Sequence, residues 1–353
     1  MTDSKPTPAI VLGATGYVGG EFLRLIADHP HLELRAAISG SMVGQAIADA
    51  FPHLASVYPD MDFTDVDSAL EALSGETVAC FSALPHASAA KEISTLLGKG
   101  AGHRVTIHVV DASADFRFAN VADYEAIYGE HGAPSLNDLF TRGVPELVVG
   151  ADTQHAAQPG CFATAMQLAM APLIKVPLSQ PTFQAFGVTG ATGAGKTPLT
   201  TTHAPERHSN LFAYKPLSHR HAPEVESLLE VHTGTRPNVH FLPHAGPFAR
   251  GIHMSVTCEP VEPVHADRIR DAFEAAYDDE PFVRVIDGMP RIKNVVGSNY
   301  AEIGVAATDS QIAVTVVIDN LIKGAAGGAM QWMNRLLGWP ETTGLTRTSL
   351  GWT

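Results

Sequence analysis

The chain has 353 residues, 45% hydrophobic and 17% charged, which predicts a folded protein with two domains and excludes disorder. Its 37 acidic against 23 basic residues, a formal net charge of −14, argue against broad binding to nucleic acid or an anionic membrane, so any anionic ligand must meet a local cationic cluster. The opening stretch MTDSKPTPAIVLGATG has no signal-peptide pattern, no apolar run approaches the ~18 residues of a membrane span, and Cys80, Cys161 and Cys258 are an odd number at wide spacing; together these predict a cytoplasmic protein without a disulfide framework.

Residues 8–13 (PAIVLG) predict a buried strand that turns through Gly13-Ala14-Thr15-Gly16-Tyr17-Val18-Gly19-Gly20 into an amphipathic helix over 21–27. In such a turn the first glycine permits the bend, the second lets a pyrophosphate approach, and the third lets the helix pack on the strand, with phosphates at the helix N-terminus. Gly13, Thr15, Gly16, Tyr17, Val18 and Gly19 are therefore candidate dinucleotide contacts. The next strand, Leu32–Ile38, ends in Ser39-Gly40-Ser41, where a dinucleotide fold often carries an acidic ribose ligand. With no carboxylate and two hydroxyls, Ser39 and Ser41 favour NADP over NAD; the alternative is a plain Ser/Gly turn.

Continuous apolar runs at Thr77–Ser82 and 105–110, separated by a helix over 87–97, predict strands covered on both faces, as in a parallel sheet. Their C-terminal ends carry His86 and, in DASADFR, Arg117. The latter is a candidate fork for a substrate carboxylate or phosphate, or a partner for Asp111 or Asp115. The domain boundary is expected at 150–160. The first, Rossmann-type domain spans 1–158 and is completed by 320–353; the second spans 159–319.

Gln158-Pro159-Gly160-Cys161 then makes a tight turn before a helix over 165–176. A cysteine at a helix N-terminus has its thiolate stabilised by unpaired amides and the helix dipole, which makes Cys161 the candidate nucleophile. Cys80 and Cys258 lie in strand-like runs and read as core residues.

After a strand at 183–188, Gly190-Ala191-Thr192-Gly193-Ala194-Gly195-Lys196-Thr197 matches the Walker A string. That motif needs a helix starting at Lys-Thr, and the sequel PLTTTHAP is a poor helix, so an ATPase is disfavoured. Lys196 remains a candidate for a substrate phosphate. In His219-Arg220-His221-Ala222-Pro223-Glu224 an extended chain would put both imidazoles on one side. No third ligand follows at metal spacing, so one histidine is read as acid/base for Cys161, with Glu224 orienting it. His219 is preferred and His221 is the alternative. Strands at 238–242, 250–258, 282–286 and Gln311–Ile318 with a helix over Ala266–Tyr277 predict an α+β domain with a mainly antiparallel sheet. Arg250, in a turn with His244, is a candidate substrate contact. The small residues of DNLIKGAAGGAM suggest close packing against backbone or cofactor, with Asn320 on the cofactor side. No internal repeat is apparent.

GATGYVGG, ALPHA, DASADFRF, PGCFATA, GATGAGK, HRHAPE, PHAGPFARGI and DNLIKGAAGGA, in that order, resemble the N-acetyl-gamma-glutamyl-phosphate reductase family, within the superfamily that includes aspartate-semialdehyde dehydrogenase. The resemblance runs nearly end to end. It implies NADPH-dependent reduction of an acyl phosphate to a semialdehyde through a thioester on Cys161, in arginine biosynthesis. It also implies a histidine pair at His219 and His221 with Glu224 behind them, and a dimer or tetramer formed through the second domain's sheet. The chain departs from the family at Gln158, where Asn is common, and at Gly328, where Gln is. Rival readings are aspartyl phosphate or a carrier-bound acyl phosphate as substrate, and a P-loop nucleotide-binding switch.

Overall fold

The protein is described from a computed structural model covering residues 5–150 and 153–351. The outermost limits of the expected domains, and residues 151–152 of the expected boundary, lie outside the described residues. The chain divides into two compact units, one of residues 1–142, 150–158 and 329–345, the other of residues 143–149, 159–328 and 346–353.

The first unit is built on seven strands: β1 (Thr7–Leu12), β2 (Leu32–Ile38), β3 (Phe63–Thr64), β4 (Thr77–Ser82), β5 (Thr106–Asp111), β6 (Phe140–Arg142) and β7 (His155–Ala157). They run in the order β3-β2-β1-β4-β5-β7-β6, and every pairing is parallel. The apolar runs read from the sequence are these inner strands, with Ile10, Val78, Cys80, Val109 and the helix residues Ile93 and Leu96 in one core. Strand order reverses between β1 and β4, the position where open α/β sheets bind ligands. The helix after β1 spans Tyr17–Ala27, four residues more than its apolar pattern suggests. Gly19 and Gly20 are taken into it by packing: a β-carbon on Gly19 would lie 2.6 Å from the Ala14 backbone.

The second unit carries β8 (Thr182–Thr189), β9 (Phe212–Ala213), β10 (Asn238–Ala245), β11 (Ile252–Cys258), β12 (Val283–Val285), β13 (Ala301–Thr308) and β14 (Gln311–Ile318). Their order is β12-β13-β14-β11-β8-β10-β9, antiparallel except for β8 with β10 and β12 with β13. Strand β13 escaped the sequence reading because AEIGVAAT is interrupted by Gly304. That glycine is required, since a β-carbon there would fall 2.3 Å from the Gly288 carbonyl oxygen.

One face of this sheet packs against the helix Cys161–Lys175, which also meets the helix His221–Thr233. Every residue from Phe162 to Leu173 is buried. Pro172 sits inside that helix and has no N–H for the Leu168 carbonyl one turn back. The Tyr277 hydroxyl donates to that carbonyl instead, at 2.8 Å, which satisfies an acceptor the proline leaves unpaired. Among the described residues no helix is long and apolar enough to cross a membrane.

Candidate active site

In the second unit Gly160 precedes the helix Cys161–Lys175, so Cys161 is its first residue, and the N-cap glycine itself brings no side chain to the first-turn amides. Those amides and the helix dipole favour negative charge on the sulfur. Cys161 is half-buried and lines a cavity of about 420 Å³ with Tyr214, Lys215, His219, Arg220 and His221, walled also by Thr189, by glycines and alanines of the loop after β8, and by Arg207. By contrast Cys80 and Cys258 are buried in strands; burial pushes the Cys80 thiol well up and that of Cys258 to about 11. None of the three is in a disulfide.

Two elements fix the turn before Cys161. Glu224, fully buried in the first turn of the helix His221–Thr233, accepts a hydrogen bond from the Gly160 N–H at 2.7 Å. His221 lies so close that a β-carbon on Gly160 would fall 2.3 Å from its Nε2. From the other side Gly324 abuts Cys161, since a β-carbon there would lie 2.8 Å from its Cβ. Gly324 belongs to a π-helical turn, Ile322–Ala326, and its neighbour Lys323 is buried in an ion pair with Glu146.

The histidine segment is not extended, as the shared-face argument supposed: it is a turn running into the helix that begins at His221. The rings still meet, with centroids 4.6 Å apart. His219 is buried, and burial followed by the charges of Arg220 and Lys215 lowers its pKa to about 4. Its Nδ1 accepts the His221 N–H at 3.2 Å, so the neutral ring carries its proton on Nε2. Burial, then the nearby Cys161, raises the Tyr214 hydroxyl well above its ordinary range.

Among the described residues the cations lining the cavity are Arg207, Lys215 and Arg220, and no carboxylate lines it. Sequence reasoning missed Arg207 and Tyr214 as site residues. A signal existed, because three cations fall within residues 207–220 of a strongly acidic chain.

The other residues read as substrate contacts lie elsewhere. Arg117, in the first unit, is buried and donates from Nε to the Gln158 carbonyl (2.8 Å) and from Nη2 to that of Ala112 (2.7 Å). Lys196 is exposed on its loop and is not among the cavity walls. No helix starts at Lys196-Thr197, so the geometry that makes a Walker A string bind nucleotide is lacking. Arg250 forks onto Asp319, Nε to Oδ2 at 3.0 Å and Nη2 to Oδ1 at 3.2 Å. Asp319 in turn accepts the Gly297, Leu321 and Ile322 amides. Asn320 accepts the Gly251 N–H and donates to Thr192 Oγ1, whose hydroxyl donates to the Ala249 carbonyl. Asp319 and Asn320 thus tie down the glycine-rich wall of the cavity.

In the first unit Gly13 has φ of +69° and abuts Ala83 at the end of β4, where a β-carbon would lie 2.9 Å from the carbonyl carbon. Only glycine suits that conformation and approach. A β-carbon on Gly16 would meet nothing within 4 Å. The helix beyond it has no side-chain cap and no acidic residue in its first turn. Open backbone at an uncapped helix N-terminus, at a strand-order reversal, fits a dinucleotide pyrophosphate. Thr15, Tyr17 and Val18 belong to this turn. At the end of β2 the Ser41 N–H donates to Ser39 Oγ at 3.3 Å, with the two hydroxyls 3.4 Å apart. Among the described residues no group of three or more His, Cys, Asp or Glu could hold a metal ion.

Comparison with known proteins agrees with this division. Residues 8–157 match the family model for the semialdehyde dehydrogenase NAD binding domain, and residues 161–320 that for the semialdehyde dehydrogenase dimerisation domain. The chain is 39% identical to the N-acetyl-gamma-glutamyl-phosphate reductase of Methanopyrus kandleri, covering 95% of this chain and 96% of that one. It is 38% identical to that of Rhodospirillum rubrum, covering 98% and 99%. Among solved structures, aspartate semialdehyde dehydrogenase II of Vibrio cholerae, complexed with ASA, superposes with a TM-score of 0.67 at 17% identity, over 95% of this chain and 99% of that one. The aspartate semialdehyde dehydrogenase of Candida albicans, solved with NADP, gives 0.64 at 16%, over 95% and 99%. At that identity the likeness concerns the fold alone.

Proposed function

The chain belongs to the N-acetyl-gamma-glutamyl-phosphate reductase family, and from that premise we propose that it reduces N-acetyl-gamma-glutamyl phosphate to N-acetylglutamate semialdehyde, releasing phosphate, as a step of arginine biosynthesis. It is an oxidoreductase that uses a nicotinamide dinucleotide. The observation that carries the reading is the cavity in which Cys161, at a helix N-terminus, shares the walls with two histidines and three cations.

The Cys161 thiolate attacks the acyl carbon, phosphate leaves, and a thioester forms on the sulfur. We assign the thiol proton to His221, whose Nε2 is packed against Gly160, in preference to His219. A ring with a pKa of about 4 is a weak base at neutral pH, and its Nδ1 is occupied. That leaves His219 Nε2–H as a neutral donor to the acyl or phosphate oxygen. Glu224 positions the nucleophile by holding the Gly160 amide. The bound cofactor supplies the hydride that reduces the thioester. The resulting thiohemiacetal on Cys161 collapses to the aldehyde and returns the thiolate.

Thr15 to Gly19 would hold the pyrophosphate, and Ser39 with Ser41 would take a 2′-phosphate, so we assign NADPH as the cofactor. The match to a dimerisation-domain model supports a homo-oligomer, and a reactive thiol supports a reducing, cytoplasmic setting. The test is the reverse assay, which follows NADP⁺ reduction with phosphate and a panel of semialdehydes. Turnover of the N-acetylglutamate form is expected. Preference for the aspartate form would assign a different acyl phosphate, and activity surviving Cys161→Ser would reject the thioester.

A further inference from the structure

Building on that function, we propose that Arg207 and Thr189 form the subsite that holds the substrate's carboxylate. Arg207 ends the short helix Ala204–Arg207 and is only 9% exposed, yet it lines the cavity. Its Nη2 donates to the Thr189 carbonyl at 3.1 Å, and its guanidinium lies 5.8 Å from the centroid of the Phe212 ring. Its Nε is buried and has no hydrogen-bond partner. Thr189, the last residue of β8, is 6% exposed and lines the same cavity, and its Oγ1 is also buried without a partner. The two residues are joined by a hydrogen bond, and each keeps a buried polar atom unmet, which is destabilising until a further group completes it.

The ligand is an anion, since among the described residues no carboxylate lines the cavity to neutralise Arg207. A carboxylate suits this subsite better than the phosphate. The planar guanidinium is held rigid by the Thr189 carbonyl and matches a planar carboxylate, a group the substrate keeps from binding to product. Phosphate has to leave, and Lys215 is an exposed cation on the same cavity that can follow it out.

The reverse reaction separates the two groups, because semialdehyde and inorganic phosphate are varied independently. Arg207→Met is expected to raise the KM for N-acetylglutamate semialdehyde roughly 10- to 100-fold, the range for losing a charged hydrogen bond, and to leave the KM for phosphate unchanged. Arg207→Lys should recover part of the loss. Thr189→Val should raise the same KM by a smaller factor without lowering the melting temperature, since its hydroxyl has no partner to lose. A rise in the phosphate KM instead, or no change in either, overturns the subsite. Should wild type fail to turn over this semialdehyde, the function above fails, and the subsite is judged separately. N-acetyl-L-glutamate should slow iodoacetamide alkylation of Cys161 in wild type and not in Arg207→Met; equal protection in both rejects the proposal.

Discussion

The imidazole of His221 occupies the space where residue 160 would carry a side chain: a β-carbon on Gly160 would sit 2.3 Å from His221 Nε2. The lack of a side chain at residue 160 is therefore what lets the His221 ring lie there. Gly160→Ala should push the ring away from the Pro-Gly-Cys turn and lower kcat by about 100-fold, the penalty for a displacement near 1 Å in a catalytic group. Cofactor binding, measured by fluorescence titration, should survive. Full activity in that variant would show that His221 is free to move without loss.

The two histidines should separate by pH. His221→Ala is expected to shift the pH profile of Cys161 alkylation by iodoacetamide upward, because the thiol loses its proton acceptor. His219→Ala should leave that profile in place and lower kcat through the lost Nε2–H donor. The reverse pattern would exchange the two roles.

Cofactor choice should turn on the end of β2. Placing a carboxylate there, as in Ser41→Asp, repels a 2′-phosphate and offers an acceptor to a 2′-hydroxyl. The ratio of kcat/KM for NADPH over NADH should fall at least about tenfold, which corresponds to ~1.4 kcal/mol. A ratio that does not move would mean the 2′ position is read elsewhere.

Acid should destabilise the fold in a defined window. Burial holds His29, His155 and His219 each at about 4, against an ordinary 6.5. Their stabilising contribution is complete above pH 6.5, where both folded and unfolded rings are neutral. It is lost as pH falls from 6.5 to 4, because the unfolded chain binds the protons first, at about 1.4 kcal/mol per pH unit for each ring. Asp111 acts in the opposite sense: burial raises it to about 6, so its penalty is relieved as pH drops below that value. Three histidines outweigh one aspartate, and denaturant midpoints should fall between pH 6.5 and 4. A flat profile would place water beside these rings.

Local patterns carried much of this protein. The strand-glycine-helix stretch at Gly13 to Gly19, the apolar strands of the parallel sheet and the turn before Cys161 were legible because each depends on periodicity or on a glycine within a few residues. The motifs read in order also indicated the family. Contacts distant along the chain were decided only by folding. Glu224 reaches back across 64 residues to the Gly160 amide. Arg250 and Asn320, which looked like ligand contacts, are engaged with Asp319 and with the Gly251 amide. Arg207 was marked in the sequence only by the cluster of three cations in residues 207–220, which by itself reads as solvated. What sets it apart is a buried Nε left without a partner, a property of the packed chain that no spacing of residues encodes.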